Sequence, residues 1–130
     1  MMKSNVELVQ AVYDRFRGGD TEGALALYSP DVEVHDRPEI PDPQVHHGYE
    51  GVLAALNESR TEFAALDILP EEFIEADDGR VVVVFKFVGR GRESGVPVEQ
   101  RLCHAWTVRD GLVTRMEVHS DREAALRGAP

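Results

Sequence analysis

The sequence predicts an α+β fold: a curved, mostly antiparallel sheet wrapped around N-terminal helices as a cone-shaped α+β barrel. Three observations predict it. Helical periodicity fills the first half, hairpin-linked strand patterns fill the second, and 130 residues amount to one domain. Ser4 or Asn5 caps a first helix whose apolar face is Val6, Val9, Val12, Tyr13 and Phe16, recurring about every 3.6 residues. Gly18-Gly19 stops it. Asp20 caps a shorter helix carrying Ala24, Leu25, Leu27 and Tyr28, which Ser29-Pro30 ends. A short strand follows at 32–36. The segment RPEIPDPQ, with three prolines in eight residues, is a loop. A third helix is expected over 49–63, with Val52, Leu53, Leu56 and Phe63 as its buried stripe.

The strands come next. One runs over 66–76 and is interrupted by Pro70. Asp78-Gly79 is a turn signal, and 81–88 is a strand of β-branched and aromatic residues. The connection GRGRESG leads into a long strand over 96–109. Asp110-Gly111 turns the chain into the last strand, 112–119, and Asp121 caps a short helix, EAALRG. No repeat or linker divides residues 1–130.

Composition removes several function classes. Lys and Arg total 14 against 24 Asp and Glu, a net charge of -10, so a nucleic-acid backbone or an anionic membrane surface would be repelled. At 42% hydrophobic and 29% charged, the chain is a soluble folded domain. The opening residues, MMKSNVELVQ, lack the apolar core of a signal peptide, and a cytoplasmic location is expected. A lone cysteine, Cys103, excludes an intramolecular disulfide and a Cys-cluster zinc site.

Strand parity points to a site, because alternate residues face opposite sides of a sheet. In the long strand Val98, Gln100, Leu102, His104, Trp106 and Val108 form the more apolar face. It should face the core, with a cavity between sheet and helices. In the last strand Leu112, Thr114, Met116 and Val118 share the apolar face, opposite Val113, Arg115, Glu117 and His119. In the early strand Val32, Val34 and Asp36 share a face, opposite Glu33, His35 and Arg37. Asp36 is therefore a candidate general base at the end of an apolar stripe; the alternative is a carboxylate that bonds backbone amides in the following loop. His104 is a candidate hydrogen-bond donor to a developing enolate, or a proton shuttle; the alternative is a satisfied core histidine. Tyr13, Phe16, Tyr28, Trp106, Met116 and Val118 would line the cavity, their plain alternative being core packing.

Other constellations carry less. His46-His47, with His35 and Asp36, invites a metal reading, but neighbouring histidines do not easily share one tetrahedral site, and no metal is expected. GRGRESG lacks the Gly-Lys-Ser/Thr end of a phosphate loop and reads as a hairpin connection. Cys103 has the outward parity and no evident base, which argues against a nucleophile.

The segments VYDRFRGGDTEGALALYSPDVEVHD, HHGYEGV and WTVRDGLVTRMEVHSDREAAL resemble the SnoaL-like and ketosteroid-isomerase-like proteins of the nuclear transport factor 2-like superfamily. The resemblance runs from about Val6 to Leu126. It implies the cone-shaped barrel and a homodimer formed through the convex outer face of the sheet. It places Asp36 where ketosteroid isomerases carry a general-base Asp, and His104 where they carry the protonated Asp of the oxyanion hole. Their second donor is a Tyr on the first helix; this sequence has Val12 there, with Tyr13 beside it. SnoaL-type cyclases place an acid on the last inward strand, where Met116 and Val118 stand here. Epoxide hydrolases of this fold need an Asp-Arg-Asp arrangement, and Arg101 has the outward parity.

The function expected is a small cofactor-independent enzyme acting by general acid–base chemistry on an apolar carbonyl compound, by isomerisation, aldol-type cyclisation or dehydration. The alternative is a non-catalytic small-molecule-binding or dimerisation module of the same fold.

Overall fold

The computed structural model describes residues 4–127. Helix α1 (Asn5–Arg17) starts where the Ser4 hydroxyl accepts the Glu7 amide and stops at Gly18. Helix α2 (Thr21–Leu25) is capped by Asp20, whose carboxylate accepts the Gly23 amide. Strands β1 (Tyr28–His35) and β2 (Val45–His47), helix α3 (Gly48–Glu62), strands β3 (Phe63–Glu75), β4 (Val81–Gly91), β5 (Pro97–Arg109) and β6 (Leu112–His119), and helix α4 (Arg122–Arg127) follow. Asp121 Oδ1 accepts the Ala124 amide at the start of α4. Gly128, the end of the expected EAALRG helix, lies outside the described residues, as do residues 1–3.

The fold is α+β, as expected. Six strands form one curved, unclosed sheet in the order β2-β1-β6-β5-β4-β3. All neighbours are antiparallel except β1 and β6, which are parallel, with Tyr28 opposite Val113 and Val34 opposite Met116. No helix among the described residues is long and apolar enough to cross a membrane.

Several local expectations are corrected, among them Val113, read with the outward Arg115, Glu117 and His119 but fully buried in the core with Tyr28 and Trp106. Tyr28, Ser29 and Pro30 belong to β1, not to the second helix. The Val113 amide donates to the Leu27 carbonyl and draws this segment into the sheet. Pro30 is tolerated because β2 pairs only with Glu33, Val34 and His35, leaving no partner to miss its amide. Strand β2 was not anticipated: three residues are too few to show an alternation. Phe63 opens β3 opposite Gly91 instead of closing α3, and its ring meets Phe87 edge-on at 5.0 Å. Leu53 is 36% exposed, while Val52 beside it is buried. Pro70 does not break β3, which is an edge strand with a register shift between Pro70 and Glu72.

The core lies between the concave face of the sheet and the helices. Leu8, Val9, Val12 and Tyr13 of α1, and Val52 of α3, pack on Val32, Val34, Val81, Val83, Trp106 and Val113. A second, smaller cluster lies on the convex face, where Ala125 of α4 covers Val82, Cys103 and Ala105. That face also buries Glu117 and His119, paired at 2.8 Å, with Arg115 Nε 3.2 Å from the same carboxylate.

Phe85 and Leu53 separate the buried from the exposed. Phe85→Ala is expected to cost about 3–5 kcal/mol in urea unfolding, because a fully enclosed ring leaves a cavity. Leu53→Ala should stay within about 0.5 kcal/mol of wild type. A large loss at Leu53 would contradict its exposed placement.

Candidate functional site

The helices and the concave sheet enclose a cavity of about 480 Å³. All eight residues singled out from sequence line it: Tyr13 and Phe16 from α1, Tyr28 from β1, Asp36 just past β1, His104 and Trp106 from β5, and Met116 and Val118 from β6. Cross-strand register brings the last four together, His104 opposite Val118 and Trp106 opposite Met116. Val52, Ala55 and Leu56 of α3 form the opposite wall. Exposed Arg17, Glu58, Arg60 and Glu62 mark the rim.

A chain of hydrogen bonds crosses the floor of the cavity. Trp106 Nε1–H donates to the Tyr13 hydroxyl oxygen at 3.0 Å, and that hydroxyl lies 2.6 Å from His104 Nδ1. A phenol O–H buried among apolar groups needs an acceptor, and Nδ1 is the one in reach. Tyr13 therefore donates to Nδ1, and the imidazole proton sits on Nε2. The Phe85 ring stacks on His104 with centroids 4.1 Å apart. Burial pushes the imidazole down to about 3 and the Tyr13 phenol well above its ordinary value. His104 is thus neutral throughout the physiological range. It offers an Nε2–H donor and holds no imidazolium proton to return, which favours the donor role over the shuttle.

Asp36 is held differently. Its amide donates to the Gln44 carbonyl at 3.0 Å, and its Oδ2 accepts the Gln44 amide at 2.9 Å, so the 37–44 loop is pinned at both ends. Oδ1 lies 3.2 Å from His46 Nε2, and the same nitrogen is 3.9 Å from Glu58 Oε2. The sequence grouped His46 with Asp36 only as a metal reading; their direct hydrogen bond and the approach of Glu58 depend on β2, which the sequence does not show. The His35-Asp36-His46-His47 grouping is split by the fold: His35 pairs with Glu33 at 2.9 Å instead. Asp36, His46 and Glu58 bring one ligand-type atom each within 4.8 Å of one another, the one such group among the described residues. In this arrangement His46 Nε2 is taken up by its hydrogen bond to Asp36, and Glu58 is largely exposed.

Two other parity expectations resolve. Arg37, expected opposite Asp36, lines the cavity beside it, because β1 ends at His35 and alternation ends with it. Cys103 and Arg101 face away from the cavity, as expected. Cys103 is buried on the convex face, where burial pushes its thiol up, the wrong direction for a nucleophile. Arg101 is paired with Glu71 at 2.8 Å.

The buried imidazole makes stability depend on pH. An unfolded His titrates near 6.5 and the folded one near 3, so the unfolded state binds the extra proton between them. The His104 contribution is fully present above about pH 6.5 and lost on acidification, at up to about 1.4 kcal/mol per pH unit. Urea unfolding from pH 8 to 4 should show this slope, and His104→Gln should flatten it. An equally steep slope in the variant would sink the assignment. Gly51 provides a second check. A Cβ there would meet the His46 carbonyl carbon at 2.7 Å. Gly51→Ala, usually stabilising in a helix by about 1 kcal/mol, should instead lower the melting temperature by pushing β2 away.

No curated protein gives a significant match to the chain. Among solved structures, an NTF2-like protein of unknown function from Burkholderia pseudomallei K96243 is 28% identical over 92% of each chain, with a TM-score of 0.77. TerC, co-crystallised with polyporic acid, is 35% identical over 90% of this chain and 91% of its own, with a TM-score of 0.75. An NTF2-like protein from Burkholderia xenovorans LB400 is 30% identical over 98% of each, with a TM-score of 0.71. The SnoaL-like domain family matches residues 9–116, most of the chain, from α1 through β5 into β6, and the chain belongs to that family.

Proposed function

We propose that the protein is a small enzyme of general acid–base chemistry acting on an apolar, carbonyl-containing small molecule held in the conical cavity. The observation that carries this reading is that a half-buried carboxylate, Asp36, and a neutral imidazole, His104, line a single cavity whose walls are mostly apolar inside a rim of exposed Glu58, Glu62 and arginines. Asp36 takes a proton alpha to the carbonyl. The Nε2–H of His104 stabilises the enolate oxygen, polarised through Tyr13 and Trp106. The outcome is isomerisation, aldol-type cyclisation or dehydration, none of which needs a cofactor. That TerC was crystallised with polyporic acid supports a small-molecule ligand for the same fold. On this reading residues 1–130 act as one SnoaL-like domain, in the cytoplasm, as a homodimer through the convex face of the sheet.

A second reading, a binding module without chemistry, is favoured by one observation: both Asp36 oxygens are already engaged, by the Gln44 amide and by His46. Proton exchange separates the two. Alpha-deuterium exchange in a panel of cyclic aryl ketones is expected with wild type and should fall about 100-fold or more in Asp36→Asn. Equal exchange by both would remove Asp36 from the mechanism. Saturable ketone binding without exchange would favour the binding module.

A further inference from the structure

We infer that Arg37 makes the cavity a site for an anionic ligand: an apolar molecule carrying a carboxylate or comparable oxyanion, which the guanidinium meets beside Asp36. The inference rests on the cavity being the ligand site and adds the charge of the ligand.

Four arginines among the described residues are half-buried: Arg15, Arg37, Arg80 and Arg115. Arg15 donates to the Gly23 carbonyl at 2.7 Å. Arg80 pairs with Asp78 and donates to the carbonyls of Ala125 and Leu126. Arg115 pairs with Glu117. Of these four, only the Arg37 guanidinium has no hydrogen bond or ion pair among the described residues. It is also the only one of the four that lines the cavity. Its nitrogens are not among the buried unpartnered atoms, so its donors face the cavity's solvent and can exchange water for a ligand's oxygens.

The neighbouring acids do not meet it. Asp36 is engaged by Gln44 and His46, Glu58 approaches His46, and Glu62 stands exposed on the rim. Arg17, also on the rim, is paired with Asp67. An exogenous oxyanion fits what is left, because the planar guanidinium fork matches two oxygens at once. In a chain of net charge -10, the cavity lining carries as many arginines (Arg17, Arg37, Arg60) as acids (Asp36, Glu58, Glu62), so it does not share the acidic excess that would repel an anion. Exposed Arg60 lines the same rim, but as a solvated charge it should matter less.

Two fluorescent probes test this: anilinonaphthalene sulfonate, and its neutral parent phenylnaphthylamine, which lacks only the sulfonate. Wild type should bind the sulfonate about tenfold more tightly. Arg37→Gln should weaken the sulfonate about tenfold and leave the neutral probe within about twofold. Arg37→Lys should lie between, keeping the charge and losing the fork. The guanidinium supports nothing else in the fold, so the melting temperature should hold. Met116→Trp, which fills the cavity from β6, should abolish binding of both probes. If both probes bind wild type and Arg37→Gln leaves the sulfonate unchanged, or weakens both alike, the Arg37 inference is overturned while the cavity reading stands. If neither probe binds wild type, or the sulfonate survives Met116→Trp, the ligand-site reading falls and this inference with it.

Discussion

The Tyr13 hydroxyl is the point on which the rest of the structure depends. It is one oxygen inside an apolar core, and it accepts from Trp106 and donates to His104. Without it, an indole N–H and an imidazole nitrogen would both be buried unpaired, at roughly 1–3 kcal/mol each. It also joins the two layers, since Tyr13 belongs to α1 and both partners belong to β5. The helix cannot rotate or slide against the sheet without breaking both bonds. The same two bonds fix the histidine tautomer, and so decide which nitrogen remains to serve a ligand. Packing, register and chemistry share a single atom.

Much of this was legible in the sequence, for a physical reason. In β5 and β6 the inward face is mostly apolar and the outward face carries charge, so alternation alone sorted His104, Trp106, Met116 and Val118 from Cys103 and Arg101. Asp36 was reachable by the same count because it lies one step beyond β1. Alternation stops where the strand does. Arg37 lies two steps beyond the strand, where backbone geometry no longer alternates. His46 sits in a strand of three residues, which has no period to detect. Tyr28 follows a run, Ala24 to Leu27, with good helix propensity, and only a backbone bond to distant Val113 makes it a strand residue. Its role depends on a partner that local pattern does not contain.

Charge is partitioned in a way that composition conceals. The acidic excess pairs and solvates on the outside, as in Arg101 with Glu71, Lys86 with Glu99 and Arg122 with Glu72. Such exposed pairs contribute little to stability. The consequential polar groups are few and enclosed: a neutral imidazole on the cavity floor, a pinned carboxylate at its edge, and a guanidinium beside that carboxylate. Net charge governs how the protein meets other macromolecules; on the proposed reading these three groups govern what enters the cone.

The parallel pairing of β1 with β6 bears on how the chain reaches this state. Antiparallel neighbours can zip from a tight turn, but Tyr28 and Val113 meet only after nearly the whole intervening chain has been brought round. Closing so long a loop is an entropic toll levied before any contact repays it, so the topology favours slow folding with a late step. The β3–β4–β5–β6 hairpins can assemble locally. The wall that carries Asp36 and the loop after it is the part whose docking requires the longest closure. An intermediate lacking that wall would expose the apolar lining of the cone to solvent, and this docking step is where misassembly between chains would compete.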